Sequence, residues 1–200
     1  MQIAILDYKA GNTRSVRFAL ERLGAEVVLS DQPEVLRAAD RVIFPGVGHA
    51  RPAMEYLREH KLDRLLLELE QPVLGICLGL QLLCEHTEEG DVDCLGVFPV
   101  KVKRFPKTPD LKVPHMGWNT LQDIRGEMFQ HITPSDSFYF VHSYYAEAHP
   151  DYTSATTDYG VVFSAALQRD NYRAAQFHPE KSADIGAVFL KNFLDDENLT

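Results

Sequence analysis

A cysteine flanked by glycines is the feature of this sequence best suited to chemistry. Cys77 lies in Gly75-Ile76-Cys77-Leu78-Gly79-Leu80-Gln81, after the apolar run 72–74 and before a helix-like segment, 80–85. Small residues on both sides allow a sharp strand-to-helix turn that exposes the central side chain, as in a nucleophile elbow. Unpaired N–H groups at the start of a helix favour the thiolate, which is the nucleophile. The alternative is a buried structural cysteine.

A cysteine nucleophile needs a base, and the base needs a group that orients it. Phe177-His178-Pro179-Glu180 supplies such a pair, because residues two apart in an extended chain face the same way. His149-Pro150-Asp151 has the same arrangement, with Glu147 two residues before the histidine. His178 is favoured because it ends a strand-like run directly before a helix, whereas His149 lies in a polar, loop-like stretch. His142 is a third candidate, but it has no carboxylate two residues away.

Acyl transfer also needs hydrogen-bond donors for the oxyanion. The backbone N–H of Leu78 follows the nucleophile directly and is one candidate. The loop Gly46-Val47-Gly48 can offer a second donor, because it ends the strand that precedes the Cys77 strand in the chain. The alternative interpretation of these glycines is a simple turn.

The composition is that of an ordinary globular protein and excludes several functions. The chain has 200 residues, 45% hydrophobic and 24% charged, with a formal net charge of −9. That charge argues against nucleic-acid binding, and no apolar run reaches the ~18 residues that span a bilayer. Three cysteines without a CxxC pair indicate a reducing compartment, so a cytoplasmic location is expected. The scattered histidines predict no metal site.

The first half of the chain alternates strands and helices, which predicts a parallel sheet covered on both faces. Strands are expected at 2–7, 26–29, 41–44 and 73–76. Helices are expected from a cap at Asn12 to a stop at Gly24, at 34–39 and at 50–70. Sites in such sheets lie at the carboxyl ends of strands, where Cys77 and the loop 45–48 fall.

The second half reads as strands without intervening helices. Strands are expected at 97–105, 118–121, 137–145, 161–167 and 172–178, and a last helix near Ser182. We therefore expect antiparallel additions to the same core. The predicted fold is a three-layer α/β/α domain with an open, mostly parallel sheet and antiparallel extensions. No linker divides the chain, so residues 1–200 are expected to form one domain.

These motifs together closely resemble the class I (triad) glutamine amidotransferases, over nearly the whole chain. Four further stretches resemble the glutaminase subunits of imidazole glycerol phosphate synthase. They are Ile5-Leu6-Asp7-Tyr8 with Gly11-Asn12, Pro114-His115-Met116-Gly117-Trp118-Asn119, Tyr139-Phe140-Val141-His142-Ser143-Tyr144 and Gln176-Phe177-His178-Pro179-Glu180-Lys181-Ser182. Two residues depart from the pattern: Lys9 stands where glycine is usual, and Leu80 where methionine is common.

The resemblance implies roles for individual residues. Cys77 would attack the glutamine side-chain amide, His178 would move protons and Glu180 would orient His178. The backbone N–H groups of Val47 and Leu78 would bind the oxyanion. The residues implied to hold the substrate are Gly46, Gly48, Gln81, Ser143 and Tyr144. No cofactor is implied.

The resemblance also implies a partner, a cyclase subunit of imidazole glycerol phosphate synthase that uses the ammonia in a heterodimer. The expected docking face comprises Met116, Gly117, Trp118, Asn119, Tyr139 and Lys181, although Trp118 in the core and Lys181 as a solvated charge are plain alternatives. Two other functions fit parts of the pattern. One is a glutaminase subunit of another synthase, such as pyridoxal-phosphate synthase, and the other is a cysteine peptidase of similar fold.

Overall fold

A seven-stranded sheet forms the centre of the protein. The computed structural model describes residues 1–9, 11–109 and 111–196. Four parallel strands come from the first half of the chain: β1 (Gln2–Leu6), β2 (Glu26–Ser30), β3 (Arg41–Phe44) and β4 (Val73–Ile76). Three come from the second half: β11 (Thr153–Asp158), β12 (Val162–Arg169) and β13 (Tyr172–Ala175). The order is β11-β12-β13-β4-β3-β1-β2, in which β13 is parallel to β4 and the pairs β13–β12 and β12–β11 are antiparallel. The mostly parallel sheet with antiparallel extensions is thus confirmed.

Helices cover both faces of this sheet. They are α1 (Thr13–Arg22), α2 (Pro33–Ala38), α3 (Ala50–Glu59), α4 (Leu62–Glu68), α5 (Leu78–Leu83) and α6 (Ala183–Asp195). Alternate residues of β1 enter different cores: Ala4 and Leu6 pack on the side of α3 to α5, and Ile3 and Ile5 pack on the side of α1 and α6. The three-layer prediction therefore holds, because side chains alternate across a strand and both faces are apolar.

The single helix predicted over 50–70 is wrong. Lys61 has a φ of 58°, a left-handed conformation that ends α3 and lets α4 begin at Leu62. A left-handed residue cannot continue a right-handed helix, and the apolar periodicity does not reveal such a break. Lys9 is also left-handed, with a φ of 58°. Glycine adopts that conformation with less strain, which accounts for the family's usual residue at this position.

The remaining strands form two smaller sheets rather than extending the central one, but their buried side chains join the same two apolar cores, as expected for additions to one core. β5 (Cys84–Thr87), β6 (Val92–Asp93), β7 (Phe98–Arg104) and β10 (Tyr144–Ala146) form one, and β8 (His115–Thr120) pairs with β9 (Ser137–His142) in the other. The predicted strand 137–145 is divided at Ser143, so its two parts join different sheets. The strand predicted at 118–121 begins earlier, at His115.

Strand β11 was not predicted because it is polar. It reads Thr-Ser-Ala-Thr-Thr-Asp, yet most of it is buried. Its hydroxyl groups are satisfied internally; for example, the hydroxyls of Thr153 and Ser164 lie 2.8 Å apart, and Ser164 donates to the Glu147 carbonyl. Within the described ranges, none of the helices is long and apolar enough to cross a membrane.

Candidate active site

Cys77 occupies the sharp turn between β4 and α5. Its φ of 55° and ψ of −106° are unusual for a residue with a side chain, and such strain concentrates at functional sites. A Cβ on Gly79 would overlap the Phe44 carbonyl oxygen, and one on Gly75 would lie 2.7 Å from Leu83 Cδ1. Both flanking glycines are therefore required by close packing, as the sequence predicted for an elbow.

His178 and Glu180 form a buried pair beside this turn. Nδ1 of His178 lies 2.8 Å from Oε1 of Glu180, and their side chains are 2% and 1% exposed. The pair forms differently from the sequence expectation: the chain is not extended there, because residues Pro179–Lys181 make one 3₁₀ turn that brings the carboxylate back. Since a carboxylate only accepts, Nδ1 carries the proton.

The charges around the His178–Glu180 pair couple His178 to Cys77. Burial alone lowers the pKa of His178, but the Cys77 sulfur and the Glu180 carboxylate outweigh it and raise that pKa to about 10. Nε2 of His178 is buried near the Cys77 sulfur and makes no well-formed hydrogen bond to any described residue. The Cys77 sulfur therefore acts on His178 both through its charge and through its proximity to the ring, and His178 lines the same cavity as Cys77.

The other two histidine candidates differ in their surroundings. Nδ1 of His149 lies 3.9 Å from Asp151, whose side chain is 77% exposed, and the pair is far more solvated than His178 and Glu180. His142 is buried, which lowers its pKa to about 3. Its Nδ1 bonds to the Tyr144 carbonyl over 2.7 Å, and its Nε2 lies 3.1 Å from His115. Both ring nitrogens of His142 are therefore engaged in hydrogen bonds within the protein, so neither is free to act as the base.

One cavity of about 310 Å³ gathers most of the predicted site. The predicted residues on its wall are Val47, Gly48, Cys77, Leu78, Gln81, Ser143, Tyr144 and His178. A larger groove of about 610 Å³ runs along α6 and contains none of them. The smaller cavity is the relevant one, because the nucleophile and base lie in it. Gly46 is buried behind it, where a Cβ would lie 2.6 Å from that of Leu78.

The two predicted oxyanion donors are not both available in this conformation. The N–H of Leu78 donates to the Gly46 carbonyl over 3.3 Å. Tyr8 holds the loop that carries this carbonyl, because its hydroxyl donates a hydrogen bond to the Pro45 carbonyl over 2.6 Å. Burial raises the pKa of Tyr8, so its hydroxyl stays protonated and remains a donor. The Gly46–Val47 peptide must turn before Leu78 can bind an oxyanion.

Two residues near the nucleophile were not singled out by sequence reasoning. Glu89 lines the cavity, accepts a hydrogen bond from the Ala50 N–H over 3.0 Å, and has its pKa raised by burial. Gln176 is fully buried, and its Nε2 lies 3.7 Å from the Cys77 sulfur. Glu89 carries no local signal beyond an acidic turn. Gln176 lies two residues before His178, and its position in that motif was the available signal.

The predicted docking residues lie on a surface beside the catalytic turn. Met116 and Trp118 are 62% and 56% exposed, which excludes the core alternative for Trp118. Trp118 pairs with Tyr139 across β8 and β9, with ring centroids 6.0 Å apart. Asn119 and Tyr139 are half-buried and Lys181 is exposed. The Tyr139 carbonyl accepts from the His178 N–H over 2.8 Å, so this surface is tied to the base.

Among the described residues, no group of three or more His, Cys, Asp or Glu side chains could hold a metal ion.

Comparisons with known proteins agree with this geometry. The family model for class-I glutamine amidotransferases matches residues 4–196. A Bacteroides fragilis protein named imidazole glycerol phosphate synthase subunit HisH is 54% identical over 196 residues, covering 98% of this chain and 100% of its own. The protein of the same name from Bacteroides thetaiotaomicron is 53% identical with the same coverage. A crystal structure described as a glutamine amidotransferase has the same fold, with a TM-score of 0.72 at 20% identity over 96% of this chain and 98% of that one. The chain therefore belongs to the class I glutamine amidotransferase family, and within it to the group of the HisH subunits.

Proposed function

We propose that this chain is the glutaminase subunit of an imidazole glycerol phosphate synthase, which hydrolyses glutamine and passes the ammonia to a cyclase subunit. The observation that carries the proposal is the strained Cys77 in one cavity with the buried His178–Glu180 pair. The names of the full-length relatives specify the synthase. Unpaired cysteines fit a cytoplasmic enzyme.

The residues supply both the nucleophile and the proton transfers. The Cys77 sulfur attacks the side-chain amide carbon of glutamine, and the C–N bond breaks as His178 gives a proton to the leaving ammonia. A water then attacks the thioester carbon, His178 takes its proton, and glutamate leaves as the C–S bond breaks. Glu180 holds the His178 ring and stabilises its charged form throughout.

The cavity wall suits an amino acid substrate. Gln81 donates both N–H bonds of its amide to protein oxygens, so a substrate that contacts it would meet the accepting Oε1. Glu89 offers a carboxylate for an α-ammonium group. Ser143, Tyr144 and the backbone of Gly48 would hold the remaining polar groups, whereas Gly46 lies behind the cavity wall. We infer that Val47 and Leu78 bind the oxyanion once the Gly46–Val47 peptide has turned away from the Leu78 N–H.

We infer that the cyclase covers the surface formed by Met116, Trp118, Asn119, Tyr139 and Lys181. Exposed aromatic and methionine side chains are typical of the centre of interfaces. The position supports the same assignment, because Lys181 follows Glu180 directly and β9 is hydrogen-bonded to His178. Ammonia that leaves Cys77 on this side would enter the partner before it escapes or is protonated.

The test is glutamate release by the chain alone, with the cyclase of imidazole glycerol phosphate synthase, and with that cyclase and its nucleotide ligand. Activity is expected to depend on Cys77 and to rise when the liganded cyclase is present. Cys77→Ser should abolish glutaminase activity but leave ammonia-dependent synthesis by the cyclase intact, whereas Cys94→Ala should change neither. Stimulation by another synthase partner, or hydrolysis of peptides instead, would refute the proposal.

A further inference from the structure

A continuous line of hydrogen bonds connects the Cys77 sulfur to strand β8. Gln176 Nε2 donates to Cys77 Sγ over 3.7 Å, and Gln81 Nε2 donates to Gln176 Oε1 over 3.0 Å. Gln81 Nε2 also donates to the Tyr144 carbonyl over 2.9 Å. His142 Nδ1 lies 2.7 Å from that same carbonyl. The Tyr144 carbonyl is therefore the point at which two branches meet.

The Tyr144 carbonyl determines which groups donate and which accept in the first branch, from Gln81 through Gln176 to Cys77. A carbonyl only accepts, so the end of Gln81 that faces it must be the NH₂ group. The same NH₂ group faces Gln176, and this contact requires the oxygen of Gln176 there. The NH₂ group of Gln176 is then the end that points at Cys77. The sulfur thus receives a donor because of an acceptor two side chains away.

The same carbonyl determines the direction of the second branch. His142 must carry its proton on Nδ1, so its Nε2 accepts from His115 Nδ1 over 3.1 Å. His115 Nε2 is then an acceptor and faces the Asn119 Nδ2 at 3.4 Å. Burial lowers the pKa of His142 to about 3 and that of His115 to about 4, so both rings stay neutral at ordinary pH.

Asn119, at the end of the His142–His115 series, independently requires that His115 accept a hydrogen bond at Nε2. The backbone N–H of Thr120 donates to Asn119 Oδ1 over 2.8 Å. The Nδ2 of Asn119 donates to the Asp158 carbonyl over 3.0 Å, which leaves the nitrogen side facing His115. The His115 ring is also stacked between Phe140 and Tyr159, with centroids 4.9 Å and 3.9 Å away. The ring therefore has little freedom to flip.

We propose that Gln176 is a thiolate-stabilising residue of the Cys77 site, that Gln81 and the Tyr144 carbonyl orient its amide, and that His142, held by His115, is a positioning residue that keeps this carbonyl in place. This inference deepens the function proposed above and rests on it for its role in glutamine hydrolysis.

The Cys77 sulfur has two hydrogen-bond partners that favour opposite protonation states. The Cys77 thiol also contacts the Val141 carbonyl, at 3.9 Å, which can only accept and so favours the protonated thiol. The N–H of Gln176 favours the thiolate, because hydrogen bonds to charged groups are stronger than neutral ones. Backbone pairing holds Gln176 in place: β13 lies parallel to β4, and the Cys77 N–H donates to the Ala175 carbonyl over 2.7 Å.

The test measures the alkylation of Cys77 by iodoacetamide as a function of pH in the free chain, with mass spectrometry to separate Cys77 from Cys84 and Cys94. Gln176→Met keeps the length of the side chain and removes the donor. Its profile is expected to move to higher pH by about one unit, which makes alkylation at low pH about tenfold slower. Gln168→Met, the same change on strand β12, should leave the profile in place.

His115→Phe preserves the stack on Phe140 and Tyr159 but removes the donor to His142. It should move the Cys77 profile in the same direction by a smaller amount, about two- to threefold in rate. His149→Phe is the matched control and should have no effect. Long-range ¹H–¹⁵N spectra of the unmodified chain should show His142 and His115 as Nδ1–H tautomers between pH 6 and 9.

Two results would overturn the inference: an unshifted profile in folded Gln176→Met and Gln176→Leu, or an Nε2–H tautomer at His142. The spectra decide the direction even if neither variant folds. Alkylation needs neither glutamine nor a partner, so a shifted profile in a chain without glutaminase activity would support the inference and refute the proposed function.

Discussion

Glu180→Gln should weaken both catalysis and stability, with a dependence on pH that identifies the cause. Glutamine keeps the shape of the side chain but removes its charge. Its amide can also donate to Nδ1 of His178, which favours the neutral ring and weakens the charged form that gives a proton to the leaving ammonia. We expect kcat to fall by about 10²- to 10³-fold, which is less than for loss of the base itself.

The stability effect follows from burial. Both side chains are almost fully buried, with Nδ1 and Oε1 2.8 Å apart. Removing one partner of a buried pair costs about 3–5 kcal/mol, and the retained polar contact reduces this to about 2 kcal/mol. For a chain of this size that loss lowers the melting temperature by about 4–8 °C. Asp151→Asn, in the exposed His149 pair, should change the melting temperature by less than about 2 °C.

The stabilisation by His178 decreases as the pH rises. The Cys77 sulfur and, to a smaller extent, the Glu180 carboxylate raise the pKa of His178 in the folded state to about 10, above its unfolded value near 6.5, so Glu180→Gln removes part of this shift. The contribution of His178 to stability is therefore fully present below about pH 6.5 and is lost as the pH rises through about 10. Thermal melts of wild type and Glu180→Gln should differ most near pH 6 and converge near pH 10.5. An equal difference at both values would refute the ion-pair reasoning.

Three further predictions concern other parts of the site. His178→Ala should reduce glutamine turnover by orders of magnitude, whereas His149→Ala should be close to neutral; the reverse result would reassign the base. Glu89→Gln should raise KM for glutamine by about tenfold or more with a smaller change in kcat, because it removes the charge available to an α-ammonium group, and an unchanged KM would exclude that contact. Trp118→Ala and Lys181→Ala should weaken binding to the cyclase or its stimulation of glutamate release, measured by calorimetry and assay, while the melting temperature stays within about 2 °C of wild type. Unchanged binding and stimulation in both variants would place the interface elsewhere.

Short-range chemistry was readable from the sequence. The Cys77 elbow depends on glycines two residues away, and the pairing of His178 with Glu180 depends on one intervening proline. The parallel half of the sheet was also predictable, because its buried strands are apolar throughout and its helices show a regular apolar face.

Contacts between distant residues were decided by the tertiary structure alone. Ser143 divides one predicted strand between two sheets, and β11 is buried although its residues are polar. Glu89 and Gln176 approach Cys77 from separate parts of the chain, and His115 connects to it only through a series of hydrogen bonds, so no local spacing relates them to Cys77. The engagement of the Leu78 N–H by Gly46 likewise depends on how two neighbouring strand ends pack. The sequence by itself thus determined which groups can do the chemistry, because those signals lie within a few residues. The tertiary structure determined how these groups are protonated and oriented and which of them are already engaged by other hydrogen bonds. Burial and hydrogen-bond direction depend on neighbours far away in the chain.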